Sequence, residues 1–312
     1  MGSCLSRCIT ERKKTSGTGW FDLPYEIRRI IIDLMDLEGK ARLAKCSLNC
    51  YEEVALSQNY IEEINIVAGE EGEKRNFGIF VKAKNEKWDF MIHKSASGYC
   101  QACWWMNREI YSIRMFKKQN LMDFFLKHFN CILKRNSKSL RSIRIFINDF
   151  PYNQTNINNL KSQQLEELTL FENKNGIDPI SCGFVNIDTI SRFQNDVRIP
   201  NCKLDNFVEI KSEFRVLTNP IFTLDEFDDF LRCLLIEEKY ESDLSSQMII
   251  TIEEFKMHSD FLRIIQKYTG VGIEDAVDKE KIRFWRTSKK WSNREHCLVL
   301  KKTYLSYIRN EA

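Results

Sequence analysis

The sequence predicts an α+β chain, with a small helical unit near the N-terminus followed by a larger β/α domain. Three observations predict it. Apolar residues recur at helical spacing between residues 20 and 57, period-two alternation takes over from about residue 60, and beyond residue 140 strand-like segments recur with helical ones between them. The composition agrees. Among 312 residues, 12 Gly and 5 Pro leave little room for long linkers or low-complexity disorder. The 21 Phe, 10 Tyr and 6 Trp supply the apolar surface of a sizeable core.

Charge and cysteine usage narrow the function classes. The net charge is +3, from 47 basic and 44 acidic residues interspersed along the chain, so no strong field points at nucleic acid. No apolar run approaches the ~20 residues of a membrane span. Eleven cysteines in a chain of this length, with no apolar signal segment before them, fit a reducing, cytoplasmic compartment with mostly free thiols.

Residues 1–19 are polar and aperiodic and read as a tail. Their first six residues fit M-G-x-x-x-[ST], the N-myristoylation pattern, with Gly2 as acceptor and Ser6 in place. Cys4 and Cys8 are candidate palmitoylation sites, and Arg7, Arg12, Lys13 and Lys14 would face anionic headgroups. One acyl chain gives only marginal binding, so the second signal matters. Such a tail would place the protein at the cytosolic face of a membrane.

Trp20-Phe21-Asp22-Leu23-Pro24 opens a helix, with Asp22 as its cap and Pro24 tolerated in the first turn. Ile27, Ile30, Ile31 and Leu34 make one apolar face. Glu38-Gly39-Lys40 breaks the pattern, and a second periodic run, including Ala41, Leu43, Ala44, Cys46, Leu48, Tyr51 and Val54, follows. So small a unit buries little by itself and needs a partner or a neighbouring domain.

From Tyr60 to Ile66 the chain enters a strand. Phe77–Lys84 and Lys87–Lys94 alternate around Asn85-Glu86 as a hairpin, with further strands expected at Tyr99–Met106 and Ile110–Phe116. Leu121, Phe124, Phe125, His128, Phe129 and Ile132 make a helical face. Then Leu140-x-x-Ile143-x-Ile145-x-x-Asn148 and Leu165-x-x-Leu168-x-Leu170-x-x-Asn173, 25 residues apart, both fit the leucine-rich-repeat core L-x-x-L-x-L-x-x-N, and Ile61-x-x-Ile64-x-Ile66 is a partial copy. Thr223-x-x-Glu226 is a capping box before Phe227, Phe230, Leu231, Leu234 and Leu235. A strand at Met248–Ile252 and a helix around Phe261–Tyr268 follow. The domain from residue 61 to 312 is therefore expected to be leucine-rich-repeat-like. With Ile143, Ile145, Leu168 and Leu170 inward, Ser142, Arg144, Phe146, Glu167, Thr169 and Phe171 face outward, and Phe146 and Phe171 become neighbours with Arg144 beside Thr169.

The run Leu23-Pro24-Tyr25-Glu26-Ile27, then Ile31, Leu34 and Leu43-Ala44-Lys45-Cys46-Ser47, resembles the F-box, whose signature is L-P-x-E-I, an apolar helix and a leucine-cysteine-basic segment. The form looks closest to the nematode-type F-box proteins. The usual tryptophan near the end of the box is here Tyr51. The segments Ile187–Gln194 and Phe222–Leu231 look like the F-box-associated and FTH-like regions that follow such a box. The resemblance implies a box over residues 20–60 and a target-binding region over 61–312. It further implies a non-catalytic substrate-recognition subunit of a Skp-cullin-F-box ubiquitin ligase. Leu23, Pro24, Ile27, Ile31 and Leu34 would dock a Skp-type adaptor, and through it a cullin. Arg144, Phe146, Thr169 and Phe171 are the candidate target face. The alternative is a membrane-tethered interaction scaffold with no ubiquitin-ligase role.

Other chemistry finds weak footing. Cys100-x-x-Cys103 and His128-x-x-Cys131 are conceivable zinc ligands but read as core residues among aromatics. There is no H-E-x-x-H, no phosphate loop and no complete dinucleotide fingerprint, so no metal and no cofactor are expected. For the tail, Gly2→Ala should move the protein from the membrane to the soluble fraction, with Cys4→Ser plus Cys8→Ser loosening it partway. A wild-type N-terminal peptide of unmodified mass would refute this.

Overall fold

The computed structural model describes residues 19–57, 60–71, 74–83, 86–94, 98–106, 109–116, 120–171, 176–220, 222–235, 247–251, 259–270, 281–286, 294–301 and 304–310. The acylation candidates Gly2, Cys4 and Cys8, and Asn173 of the second repeat, lie outside them. The chain divides into two compact units, Met1–Asn59 and Tyr60–Ala312.

The first unit has a 3-10 turn at Trp20–Asp22 and three helices, α1 (Tyr25–Leu34), α2 (Leu37–Ala44) and α3 (Leu48–Leu56). Two expectations need correction. Asp22 does not cap α1. Its carboxylate accepts the Gly19 N–H at 2.6 Å and closes the preceding turn. Leu23 and Pro24 are extended, as a residue before proline prefers to be, so the helix starts only at Tyr25, beyond the reach of Asp22. Nor does Glu38-Gly39-Lys40 break a helix, because α2 runs through it. Asp36 caps α2 by accepting the Gly39 N–H at 2.6 Å, and a Cβ at residue 39 would stand 2.8 Å from that carboxylate oxygen. The glycine therefore belongs to a cap. The true interruption is at residues 45–47, where Ser47 caps α3 by accepting the Cys50 N–H at 3.1 Å. Arg28 of α1 pairs with Glu53 of α3 at 2.7 Å and donates to the Leu23 carbonyl at 2.6 Å. Ile32 and Cys50 are buried beside this link.

The second unit is built on one mixed sheet. Its strands are β1 (Glu63–Glu71), β2 (Lys74–Ala83), β3 (Glu86–Lys94), β4 (Cys100–Met106), β5 (Glu109–Phe116), β6 (Ser142–Phe146), β7 (Glu167–Leu170), β8 (Asp196–Pro200), β9 (Phe214–Thr218), β10 (Gln247–Thr251), β11 (Lys281–Arg286), β12 (Arg294–Lys301) and β13 (Tyr304–Asn310). The spatial order is β5-β4-β3-β2-β1-β6-β7-β8-β9-β10-β13-β12-β11. The centre, β1-β6-β7-β8-β9-β10, is parallel, while β1–β5 and β11–β13 are antiparallel meanders on either side. The helices are α4 (Leu121–Asn136), α5 (Ile187–Ile190), α6 (Leu204–Val208), α7 (Leu224–Leu235) and α8 (Ser259–Thr269).

The three sequence copies lie side by side. Ile64 pairs with Ile143 and Ile143 with Leu168, while Ile66 pairs with Ile145 and Ile145 with Leu170, all of them buried. The register continues through Val197 to Arg215 and Met248, so the units after β7 vary in length and lose the strict apolar pattern. Arg215 is buried where the earlier strands carry aliphatics, and it donates to the Ile210 carbonyl at 2.6 Å. Asn148, the asparagine of the first L-x-x-L-x-L-x-x-N match, is exposed, and Ile147 and Phe150 fill the core at that bend. Other polar groups bridge successive loops. Asn158 accepts from the Asn186 N–H at 2.7 Å and donates to the Gly183 carbonyl at 3.1 Å, and Arg192 donates to the Leu160 carbonyl at 2.7 Å.

The 16 residues of α4 lie against the inner face of the meander. Phe125 meets Phe77 at 5.1 Å between ring centroids, and Phe124 meets Phe116 at 4.5 Å. The rings continue from Phe129 to Phe150 (5.9 Å), and Phe150 meets both Tyr152 (5.1 Å) and Phe184 (5.8 Å). At the far end the capping box forms as expected, with the Thr223 N–H donating to Glu226 at 2.7 Å and the Glu226 N–H to Thr223 at 3.2 Å. Phe227 and Phe261 then pack α7 on α8 at 5.1 Å. Lys267 pairs with Asp228 at 2.7 Å, which holds the ammonium pKa above its usual value.

His128 stacks on Phe90 at 4.9 Å, lies 4.4 Å from the Phe124 ring and meets the Phe124 carbonyl at 2.9 Å. Burial pushes its imidazole pKa below the ordinary value, against the opposing effect of that carbonyl. The folded state therefore favours the neutral ring. Its contribution to stability is complete above the unfolded pKa of ~6.5 and is lost as pH falls towards the lowered folded value. Urea midpoints should drop between pH 7.5 and 5.5, and His128→Phe should flatten that part of the profile.

Candidate functional site

Two surfaces carry the sequence-predicted site residues, one in each unit. In the first, α1 turns its apolar stripe outward. Ile27, Ile30, Ile31 and Leu34 are exposed, Leu34 at 81 %. Pro24 is exposed beside them, and Leu23 is half-buried with its carbonyl held by Arg28. The inward side of the helix is Arg28 and Ile32, so the unit is anchored through one ion pair and a few aliphatic contacts. Leu48, Tyr51 and Leu56 of α3 are exposed as well. Scattered surface aliphatics are ordinary, whereas these four follow one another along a single helix face. Leu23 and Pro24 thus lead into α1, and Ile27, Ile31 and Leu34 lie on its exposed face.

In the second unit the candidate residues lie on the sheet face opposite α4. The Phe146 and Phe171 rings stand 6.4 Å apart and are 41 % and 46 % exposed. Arg144 pairs in register with Thr169, both half-buried, so the four candidate target residues come together. Phe171 is held by its backbone. Its N–H donates to the Ile145 carbonyl at 2.9 Å, and its own carbonyl accepts the Tyr152 hydroxyl at 3.0 Å. Tyr152 is fully buried, and desolvation raises its pKa, so it remains a neutral donor. Of the residues expected to face outward, Ser142 is covered, and its hydroxyl donates to Glu167 at 3.2 Å.

The pair of rings ends a longer row that the sequence reading missed. From Phe146 the register runs to Val67, Gly78, Met91, Cys103 and Ile113, crossing every strand to β5. A Cβ at Gly78 would stand 2.8 Å from the Phe80 ring and 3.3 Å from Val67, so the missing side chain leaves room for that ring. Cys103 is buried, and desolvation raises its thiol pKa, while Ile113 at the far end is exposed. Polar residues border the row on one side, at Asn76, His93 and Gln101. On the other side, Arg144 pairs with Glu167, Arg198 with Asp196 at 2.9 Å, and Lys82 with Glu63. The row next to the apolar one runs from Arg144 through Asn65 and Phe80 to Asp89 and Trp105, so Asp89 stands between two aromatic residues, while Lys82 and Glu63 lie one row farther out. Among the described residues the Asp89 carboxylate accepts no hydrogen bond, and desolvation pushes its pKa up against the opposing charge of Lys87.

No three metal-ligating side chains converge among the described residues. Cys100 and Cys103 face opposite sides of β4, His128 lies among rings, and Cys131 is exposed on α4. No disulfide forms among the described residues, and none of their helices is long and apolar enough to cross a membrane. Comparison with family models, with curated proteins and with solved structures finds no match.

The exposure of the two rings has a measurable consequence. Phe146→Ala and Phe171→Ala should each cost under ~1 kcal/mol in urea unfolding, against ~3–5 kcal/mol for fully buried Phe125→Ala. A core-sized loss at either exposed site would make it a packing residue.

Proposed function

We propose that the chain is a substrate-recognition subunit of a Skp-cullin-F-box ubiquitin ligase. The observation that carries this reading is the outward stripe Ile27, Ile30, Ile31 and Leu34, directly after Leu23-Pro24-x-Glu26-Ile27, on a unit of three short helices. A unit so small, with its most apolar helix face turned to solvent, gains from burying that face on a second protein. A Skp-type adaptor is the partner that the F-box-like residues imply. In this reading the second unit is leucine-rich-repeat-like and binds the target through Arg144, Phe146, Thr169 and Phe171. The chain needs no catalytic residue of its own. By holding adaptor and target together it raises the effective concentration of target lysines at the ligase's conjugating enzyme.

Leu34 and Ile27 are exposed, so shortening them removes contact area without opening the core. Ile27→Ala with Leu34→Ala in the full chain should weaken co-purification of a Skp-type adaptor at least ~10-fold, since each buried anchor at an interface centre is worth ~1–4 kcal/mol. The thermal midpoint should stay near that of the wild type. Adaptor recovery by the double variant at wild-type yield would reject the docking face.

A further inference from the structure

We propose that the outer sheet face docks an amphipathic helix of a partner protein, laid across the strands, with its apolar stripe on the row from Phe171 to Ile113 and one Lys or Arg paired with Asp89. The inference rests on the target-capture role above and states what the captured segment looks like.

Width and charge select this occupant. The apolar band is at most two residues wide: Phe80 and Trp105 adjoin the row on the side of Asp89, Lys82 and Lys87 stand beyond them, and the polar side chains Asn76, His93 and Gln101 border the other side. A lipid surface would need a broad apolar field, and a strand added at a sheet edge would not reach along the row. A helix carries an apolar stripe of comparable width. Seven strands at ~4.8 Å spacing give a row of about 29 Å, the length of a helix of about 19 residues. The charges of Arg144, Arg198 and Lys82 already have carboxylate partners within the face. Asp89 differs. It stands between Phe80 and Trp105, its carboxylate accepts no hydrogen bond among the described residues, and desolvation disfavours the anion by more than the charge of Lys87, two residues away on the same strand, favours it. An incoming cation would compensate the carboxylate and meet aromatic residues on both sides.

The test uses the full-length chain and two labelled synthetic peptides of about 20 residues. Each is amphipathic, with leucines at i, i+3, i+4 and i+7, and they differ only in one central Lys or Glu. Fluorescence anisotropy should show saturable binding of the Lys peptide in preference to the Glu peptide. Asp89→Asn should weaken the Lys peptide about tenfold, and Asp89→Lys should reverse the preference. Phe146→Ala should weaken both peptides alike. No saturable binding up to about 1 mM, equal affinity for the two peptides, or binding only to phosphatidylcholine vesicles would overturn the proposal. Adaptor capture is measured on the same preparation. If it persists while peptide binding fails, this inference alone falls; if it is lost while the peptides discriminate, the ubiquitin-ligase reading alone falls.

Discussion

The parallel pairing of β1 with β6 is the constraint on which the second unit depends. On its other side β1 pairs antiparallel with β2, so this strand joins two different kinds of sheet into one. Its register aligns Ile64 with Ile143 and Ile66 with Ile145, all buried. Side chains alternate along a strand, so the same register puts Asn65 beside Arg144 and Val67 beside Phe146 on the opposite face. A slip of one residue would carry the aliphatics to solvent and Asn65 into the core. Burial on one face therefore fixes which residues meet on the other, and the outer row is a by-product of the inner one.

The aromatic content gives that inner face its depth. Phe77, Phe125, Phe129, Phe150, Tyr152 and Phe184 follow one another beneath the sheet, from the meander to the loops of the parallel strands. Tyr152 links this core to the surface, because its hydroxyl holds the backbone of Phe171, whose ring faces out. The exposed ring is thus mounted on a buried support, and the rigid placement lowers the entropic cost of using it as a contact. The first unit follows a different logic. Its helices are short, its interior is small, and the Arg28–Glu53 pair spans α1 and α3 where a larger unit would use aliphatic packing. Its apolar stripe is left facing solvent, and in the proposed reading a second protein buries it.

Much of the architecture was legible in the residues. Period-two alternation gave the hairpin of β2 and β3, the L-x-L segments gave β6 and β7, and Thr223 and Glu226 gave the start of α7. Errors arose where a local rule met a competing one. Gly39, for example, looks like a break until Asp36 is seen to use its amide. The strands β11–β13 were not foreseen, and neither was the return of β13 beside β10.

What the sequence determined by itself is local. It specified which residues alternate, which recur at helical spacing, which cap a helix, and that Phe146 and Phe171 share a face with Arg144 and Thr169. These follow from spacing along the chain, which side-chain periodicity converts directly into geometry. Only the tertiary structure decided that β1 pairs with β6 across an intervening meander and helix. Only that pairing brought Val67, Met91 and Ile113 into line with the two phenylalanines and left Asp89 beside them. These contacts join residues far apart in sequence. Their register is set by the burial of Ile64, Ile66, Ile143 and Ile145 on the other side of the sheet, and no short window of sequence contains that information.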